Sequence, residues 1–165
     1  MKKWTALLLT LILSVSLCAA ALADEPQYAN TKAFLDSLDE VGLQYTLVGM
    51  LGEDETVRIG NKAGDINYDF VLFFSEDNET VYIRVWDLIT FDPDNLNDVL
   101  RAVNNLNNAY SFTAWYVNED ENSINVRYDA IVREGASVPE IVLEALIRMN
   151  NIIEEGCETL TAYAK

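Results

Sequence analysis

The fold is decided by the stretch Ile66–Val85, which reads INYDFVLFFSEDNETVYIRV. Apolar residues occupy every second position in its first nine residues and again after Thr80, which is the period of a strand that buries one face. Between the two halves, Ser75–Asn78 has the composition of a turn. The stretch therefore predicts an antiparallel hairpin.

The positions between these apolar residues are unusual because several of them are apolar as well. Val71 and Phe73 lie on the second face of the first strand, and Tyr82 and Trp86 on that of the second. Helices can cover one face of a sheet built from such strands. The other face must be exposed or covered by something else.

Three helices and further strands surround this hairpin. Helical periodicity predicts helices over about residues 30–41 and 96–107, the first capped by Asn30, and a long one that begins at the S-x-x-E capping box Ser137–Glu140. Gly156 is expected to end or interrupt the last helix. Extended segments are expected at 44–50 and 56–60, and a second hairpin at 112–132. The order α-β-β-β-α-β-β-α predicts an α+β two-layer sandwich, with an antiparallel sheet of about five strands and three helices.

The N-terminus has the pattern of an export signal. Lys2 and Lys3 precede an apolar run from Ala6 to Leu17, and small residues end in Ala21-Leu22-Ala23. We predict a signal peptide over residues 1–23, followed by a single domain over 24–165 with no membrane span, periplasmic or extracellular. An uncleaved anchor and a lipoprotein processed at Cys18 are the alternatives.

Acidity limits the partners of the mature chain. Without Lys2 and Lys3 it would carry nine basic and 27 acidic residues, a net charge of −18. No stretch is basic enough to follow a phosphate backbone, so we expect no nucleic-acid partner.

Common catalytic constellations are missing from the sequence. The chain contains no histidine, and cleavage would leave Cys157 as a lone cysteine, expected to be a buried small hydrophobe. The seven glycines form no phosphate-binding loop. We therefore predict a protein without catalytic residues, cofactor or metal. Calcium binding by the acidic loops around Asp94 or Asp120 remains an alternative, and so does an enzyme that uses two converging carboxylates.

The C-terminal half resembles a known family. The resemblance lies in the asparagine-bearing segment Leu96–Asn107, the hairpin Phe112–Val132 that follows it, and the helix Val138–Ile153. Together they resemble the YbjN-type domain, a family described as bacterial sensory transduction regulators with a fold like that of type III secretion chaperones. The resemblance implies a dimer-forming, non-enzymatic, protein-binding module and transfers no catalytic residue. The signal peptide argues against a cytoplasmic chaperone role.

These observations lead to two hypotheses about function. The first is an exported, non-enzymatic interaction module, chaperone-like or regulatory, that binds a protein or peptide through the sheet face away from the helices. The alternative is a small-ligand or carbohydrate-binding domain with a platform of stacking rings. The candidate surface residues are Phe73, Tyr82, Trp86, Trp115 and Tyr116.

The same face predicts a homodimer. Three helices can cover one face of the sheet, and an isologous contact with a second copy would cover the other. The alternative is that the C-terminal tail after Gly156, with Leu160 and Tyr163, folds back over that face.

Overall fold

A computed structural model describes residues 25–77, 79–133 and 135–165. The predicted signal peptide and Cys18 lie outside the described residues. The described residues form three α-helices and six strands, which are, in chain order, α1 (Ala29–Val41), β1 (Thr46–Leu51), β2 (Asp54–Ala63), β3 (Ile66–Phe74), β4 (Thr80–Thr90), α2 (Leu96–Ala109), β5 (Ala114–Asn118), β6 (Ser123–Ile131) and α3 (Val138–Leu160). None of the described helices is long and apolar enough to cross a membrane.

The strands form one antiparallel sheet in the order β1-β2-β3-β4-β6-β5. The predicted α+β sandwich is confirmed, with six strands instead of about five. The extended segment at 44–50 supplies the additional strand, β1, which pairs with β2. The strand predicted at 56–60 is longer than expected, because residues 61–63 continue the ladder with β3 as far as the pair Ala63 and Ile66.

The core lies between the sheet and the helices. Most of the residues of β2, β3, β4 and β6 that face the helices are buried beneath α1, α2 and α3, with α1 packed against α3. The largest fully buried side chains are Phe34, Leu38, Ile59, Phe70, Leu72, Phe74, Ile83, Phe91, Ile124, Met149, Ile153 and Leu160.

A polar cluster joins the sheet to α3 inside this core. The Tyr68 hydroxyl donates to Asn150 Oδ1 at 2.8 Å, and Asn61 Nδ2 donates to Tyr68 Oη at 2.8 Å. Asn150 Nδ2 in turn donates to Glu154 at 3.0 Å. Burial raises the pKa of Tyr68 above its ordinary value of 10.0, so the hydroxyl stays a neutral donor. The cluster satisfies polar groups that would otherwise be costly to bury.

The beginning of α1 is fixed by a distant residue. The predicted cap Asn30 lies inside the helix, whose N-cap is Tyr28 without a side-chain cap bond. Instead, the buried carboxylate of Glu55 on β2 accepts the backbone N–H groups of Gln27 at 2.7 Å and Tyr28 at 3.0 Å. A tertiary contact thus replaces the local cap, because a carboxylate satisfies the N–H groups that a helix start leaves unpaired. The predicted cap of α3 is confirmed, since the Ser137 side chain accepts the Glu140 N–H.

Gly156 does not end the last helix, contrary to the prediction. The helix α3 continues through it to Leu160. A Cβ atom at position 156 would lie 2.5 Å from Cη2 and 2.6 Å from Cζ2 of Trp115. The glycine is therefore required by the close approach of the buried indole ring, and not by a helix end.

The C-terminal tail stays with the helical layer. Leu160 is fully buried in the core and Tyr163 packs against the core. Ala164 then bridges to Phe91, and the Lys165 N–H donates to the Thr90 carbonyl at 3.0 Å. The tail therefore does not fold back over the other sheet face, and that alternative is wrong.

Cys157 is buried, as predicted, and is not in a disulfide. Burial, with a smaller contribution from the Glu154 carboxylate, raises the pKa of its thiol from 9.0 to about 11. The thiol is therefore neutral at physiological pH, and a neutral thiol is a weak nucleophile.

At the β5 edge of the sheet, one side chain of α2 forms hydrogen bonds with the backbone of the strand. The Asn107 amide accepts the Trp115 N–H through Oδ1 at 2.9 Å and donates to the Trp115 carbonyl through Nδ2 at 2.9 Å. These two bonds reproduce the pattern of a neighbouring strand. Asn107 thus pairs backbone groups that an edge strand would otherwise leave open.

Candidate functional site

The face of the sheet opposite the helices, here called the outer face, consists of two aligned rows of side chains. One row runs Thr56, Phe73, Tyr82, Asp129 across β2, β3, β4 and β6. The next row runs Arg58, Val71, Arg84, Arg127, Ala114 and continues on to β5. Because paired residues in an antiparallel sheet point to the same side, each row is a continuous line of side chains.

Two aromatic rings meet on the outer face. Phe73 and Trp86 contact edge to face, with ring centroids 5.8 Å apart and an angle of 73°. Val71 lies two residues before Phe73 on β3, pairs with Arg84 on β4, and is only 6% exposed. Trp86 itself remains 47% exposed. A half-exposed tryptophan on a sheet is a large apolar surface that a partner can bury.

Three arginines occupy one row of the outer face. Arg84 Nη1 lies 2.6 Å from Asp129 Oδ1, and its guanidinium lies over the Tyr82 ring at 5.3 Å. Arg58 lies 3.6 Å from Asp69 in a solvent-exposed pair. The row is therefore a line of three positive charges on a strongly acidic chain, and aspartates of the same face pair with two of them.

Arg127 differs from the other two arginines. Its guanidinium lies over the Tyr116 ring at 5.7 Å, and no carboxylate among the described residues lies within ion-pair distance. A guanidinium has five N–H donors in a planar arrangement that fits a carboxylate. Arg127 is thus the arginine of the row that is most available to an external anion.

The pairing of β4 is irregular next to Trp86. The pairing of β4 with β6 shifts between Val85 and Ile89, and Asp87 adopts a left-handed backbone with φ of 51°. The Asp87 N–H donates to Asn125 Oδ1 at 2.7 Å, and Asn125 is buried. Bulges bend a strand and redirect its side chains, and left-handed residues persist where neighbouring groups hold them. Asn125 is therefore the residue that fixes the local geometry of β4 next to Trp86.

The structure brings together four of the five predicted surface residues. Phe73, Tyr82, Trp86 and Tyr116 all lie on the outer face. Trp115 does not, because it points into the core, is 3% exposed and packs on Gly156. A platform with two tryptophans, on which the carbohydrate-binding alternative depended, therefore does not form.

Sequence reasoning missed the arginine row and Asn125. The alternation in β4 and β6 already placed Arg84 and Arg127 opposite the buried positions, so the signal for their face was present. Their alignment with Arg58 depends on the register of four strands, which no local pattern specifies.

The alternatives of a calcium site and of an enzyme with two converging carboxylates depend on where the acidic side chains lie. Asp69 lies on the outer face beside Arg58, and Asp87 is exposed at the bulge. The buried carboxylate of Glu55 is used by the start of α1. Among residues 25–77, 79–133 and 135–165 there is no group of three or more His, Cys, Asp or Glu side chains that could hold a metal ion.

An α+β sandwich with one aromatic and cationic sheet face that none of the described helices covers is thus the class that the fold and the site define. Residues 37–149 match the family model YbjN, described as "Putative bacterial sensory transduction regulator". This match covers more than half of the chain, and the chain belongs to the YbjN family. The predicted resemblance is confirmed.

A solved structure has the same fold. The crystal structure of YbjN from E. coli, described as "a putative transcription regulator", superimposes with a TM-score of 0.57 at 10% sequence identity. The alignment covers 82% of this chain and 92% of that one. No functionally curated protein matches the chain.

Proposed function

We propose that this protein is an exported, non-enzymatic interaction module that binds a protein or peptide partner through the outer face. The observation that carries the proposal is the composition of that face. The helices and the C-terminal tail cover the opposite side of the sheet, while the outer face presents Trp86, Tyr82, Phe73 and three arginines.

Tryptophan, tyrosine and arginine are the residues that contribute most binding energy at protein interfaces. Tyr82 stacks with Arg84, and Tyr116 with Arg127, so these long side chains are already partly ordered before a partner arrives. Ordering a side chain in advance lowers the entropy cost of association. A non-enzymatic, regulatory role agrees with the description of the YbjN family. Export is supported by the signal-peptide pattern of residues 1–23.

The test is capture of a partner by the purified exported protein, followed by measurement of affinity with the partner itself. Trp86→Ala removes the most exposed ring of the outer face and is expected to weaken binding at least about tenfold, as is typical of an interfacial tryptophan. Isothermal titration calorimetry with wild type and variant gives the two affinities.

Val41→Ser is the matched control for that experiment. Val41 is also an exposed large hydrophobic residue, but it lies at the end of α1 in the helical layer. The Val41→Ser variant should bind the partner with an affinity within about twofold of that of the wild type. Equal affinities for the wild type and for Trp86→Ala would refute binding through the outer face.

The homodimer predicted from the sequence would use the same face and stays a prediction. Sedimentation equilibrium at micromolar concentration and moderate salt measures the mass of the particle. A mass near two chains that drops to one chain in Trp86→Ala would confirm it. A mass near one chain in the wild type would leave the outer face to a different protein.

A further inference from the structure

We propose that the outer face binds an acidic segment of its protein partner, whose carboxylates pair with the arginine row while its apolar side chains pack on Phe73 and Trp86. This inference rests on the proposed function and adds the chemistry of the partner. The argument begins with how charge is distributed. Three of the nine basic residues of the predicted mature chain lie in the row that contains Arg58, Arg84 and Arg127.

This row contains no carboxylate. Its members are three arginines, Thr46, Val71 and Ala114. Asp69 and Asp129 pair with Arg58 and Arg84, which leaves the guanidinium of Arg127 without an anionic partner among the described residues. A neutral apolar partner that covered the row would remove the Arg127 guanidinium from water and supply no acceptor for it. Burial of a charge without compensation costs several kcal/mol, so a partner that covers the row has to bring anions.

The dimensions of the row suit a short peptide segment. Arg84 and Arg127 lie on adjacent strands, and Arg58 and Arg84 are separated by β3. With strands about 4.8 Å apart, the three arginines span about 14 Å. An extended chain that advances about 3.3 Å per residue crosses this distance in four or five residues. One acidic segment that runs across the strands can therefore meet all three guanidiniums.

A second copy of the outer face fits this chemistry less well. In an isologous contact, the same patch of one protomer faces that of the other, so two arginine rows would approach each other. Like charges opposed in an interface disfavour the complex.

The excess of acidic residues elsewhere on the chain also repels an acidic segment, but this repulsion is weakened by distance and by salt. The two layers of the sandwich are about 10 Å apart, which is about one Debye length in physiological salt.

The experiment uses the purified exported protein and three fluorescein-labelled octapeptides. These alternate Glu and Tyr, Gln and Tyr, or Lys and Tyr, and their binding is measured by fluorescence anisotropy at low and moderate salt. We expect the Glu-Tyr peptide to bind at least about tenfold more tightly than the other two, and more weakly at higher salt, as charge-assisted binding requires. Arg127→Gln should weaken it about tenfold.

Arg101→Gln is the matched control, because it removes the same charge from α2, where the side chain is 81% exposed and pairs with Asp98. It should change the affinity less than twofold. Arg127 makes no ion pair with a described residue, so its loss is not expected to unfold the protein, and the thermal midpoint of each variant verifies this.

Four outcomes would overturn the inference: equal binding of the Gln-Tyr peptide, an affinity of Arg127→Gln no lower than that of Arg101→Gln, no binding of the Glu-Tyr peptide below 1 mM, or tighter binding of an oligothymidylate of eight nucleotides. If the captured partner still depends on Trp86 while Arg127→Gln has no effect, the acidic segment is refuted and the proposed function stands. If the partner depends on neither residue, both fail.

Discussion

Replacing Gly156 by alanine is expected to lower the free energy of unfolding by about 2–3 kcal/mol, as overpacking in a dense core does. Alanine is the better helix former by about 1 kcal/mol, so helix propensity alone would predict the opposite sign. The steric effect is larger because the new Cβ would lie 2.5 Å from Cη2 of Trp115. That ring is rigid and buried in the core, so either the strand or the helix must move. Urea denaturation of the variant measures the change.

Two further variants make this prediction specific. Gly60→Ala is the matched control on β2, where a Cβ would meet only Asp69 Oδ1 at the ordinary distance of 3.5 Å, and it should leave the stability nearly unchanged. Trp115→Phe removes the outer part of the indole, so the double variant should lose less than the sum of the single changes. Additive losses would show that the contact with Trp115 is not what excludes a side chain at position 156.

Replacing Asn107 by alanine is expected to lower the free energy of unfolding by about 2 kcal/mol, because two part-buried backbone groups of Trp115 lose their partner. An asparagine-to-alanine change in a helix ordinarily stabilises the helix slightly, so the prediction again opposes the effect of propensity. Denaturation by urea, followed by far-UV circular dichroism, gives the size of the loss.

Asn108→Ala is the control for this second prediction. Asn108 is the next residue of α2, is exposed, and its side chain makes no hydrogen bond with another described residue. Its replacement should be neutral or slightly stabilising. If the two variants have the same stability, the amide of Asn107 does not hold the β5 edge in solution.

Several features of the fold were predictable because their causes are local. The alternation in Ile66–Val85 places Phe70, Leu72 and Ile83 on one face, and the structure buries that face. The helical periodicity ends at Val41 in the sequence, and Gly42 ends α1 at that point with a left-handed backbone at φ of 70°.

The predictions that were wrong concern residues whose role depends on a distant part of the chain. Trp115 and Tyr116 are adjacent aromatic residues on β5, and their alternation shows that they face opposite sides without showing which side is the core. The choice is made by Gly156, 41 residues later, whose missing side chain leaves space for the larger ring. Similarly, Asn30 was expected to cap α1, but Glu55 supplies the acceptors from another strand.

The residues of the candidate site also divide into those that a local pattern predicts and those that depend on distant parts of the chain. The composition of β3 and β4 already indicated that Phe73, Tyr82 and Trp86 face away from the buried side. The arginine row could not be derived in this way, since a shift of two residues in a pairing between β2 and β6 would keep the arginines on the same face but remove their alignment.

The strand order has a consequence for how the chain reaches its native state. Strands β1 to β4 pair with their neighbours in sequence, and so do β5 and β6, so both groups can form from local contacts. A single long-range ladder joins them, between β4 and β6, whose paired residues are 33 positions apart at Thr90 and Ser123 and 51 apart at Thr80 and Ile131. Closing the longer chain loop has the higher entropy cost, and contacts of large sequence separation slow folding. The outer face therefore becomes continuous only with this last ladder, because Arg84 and Arg127 belong to strands from different halves of the chain.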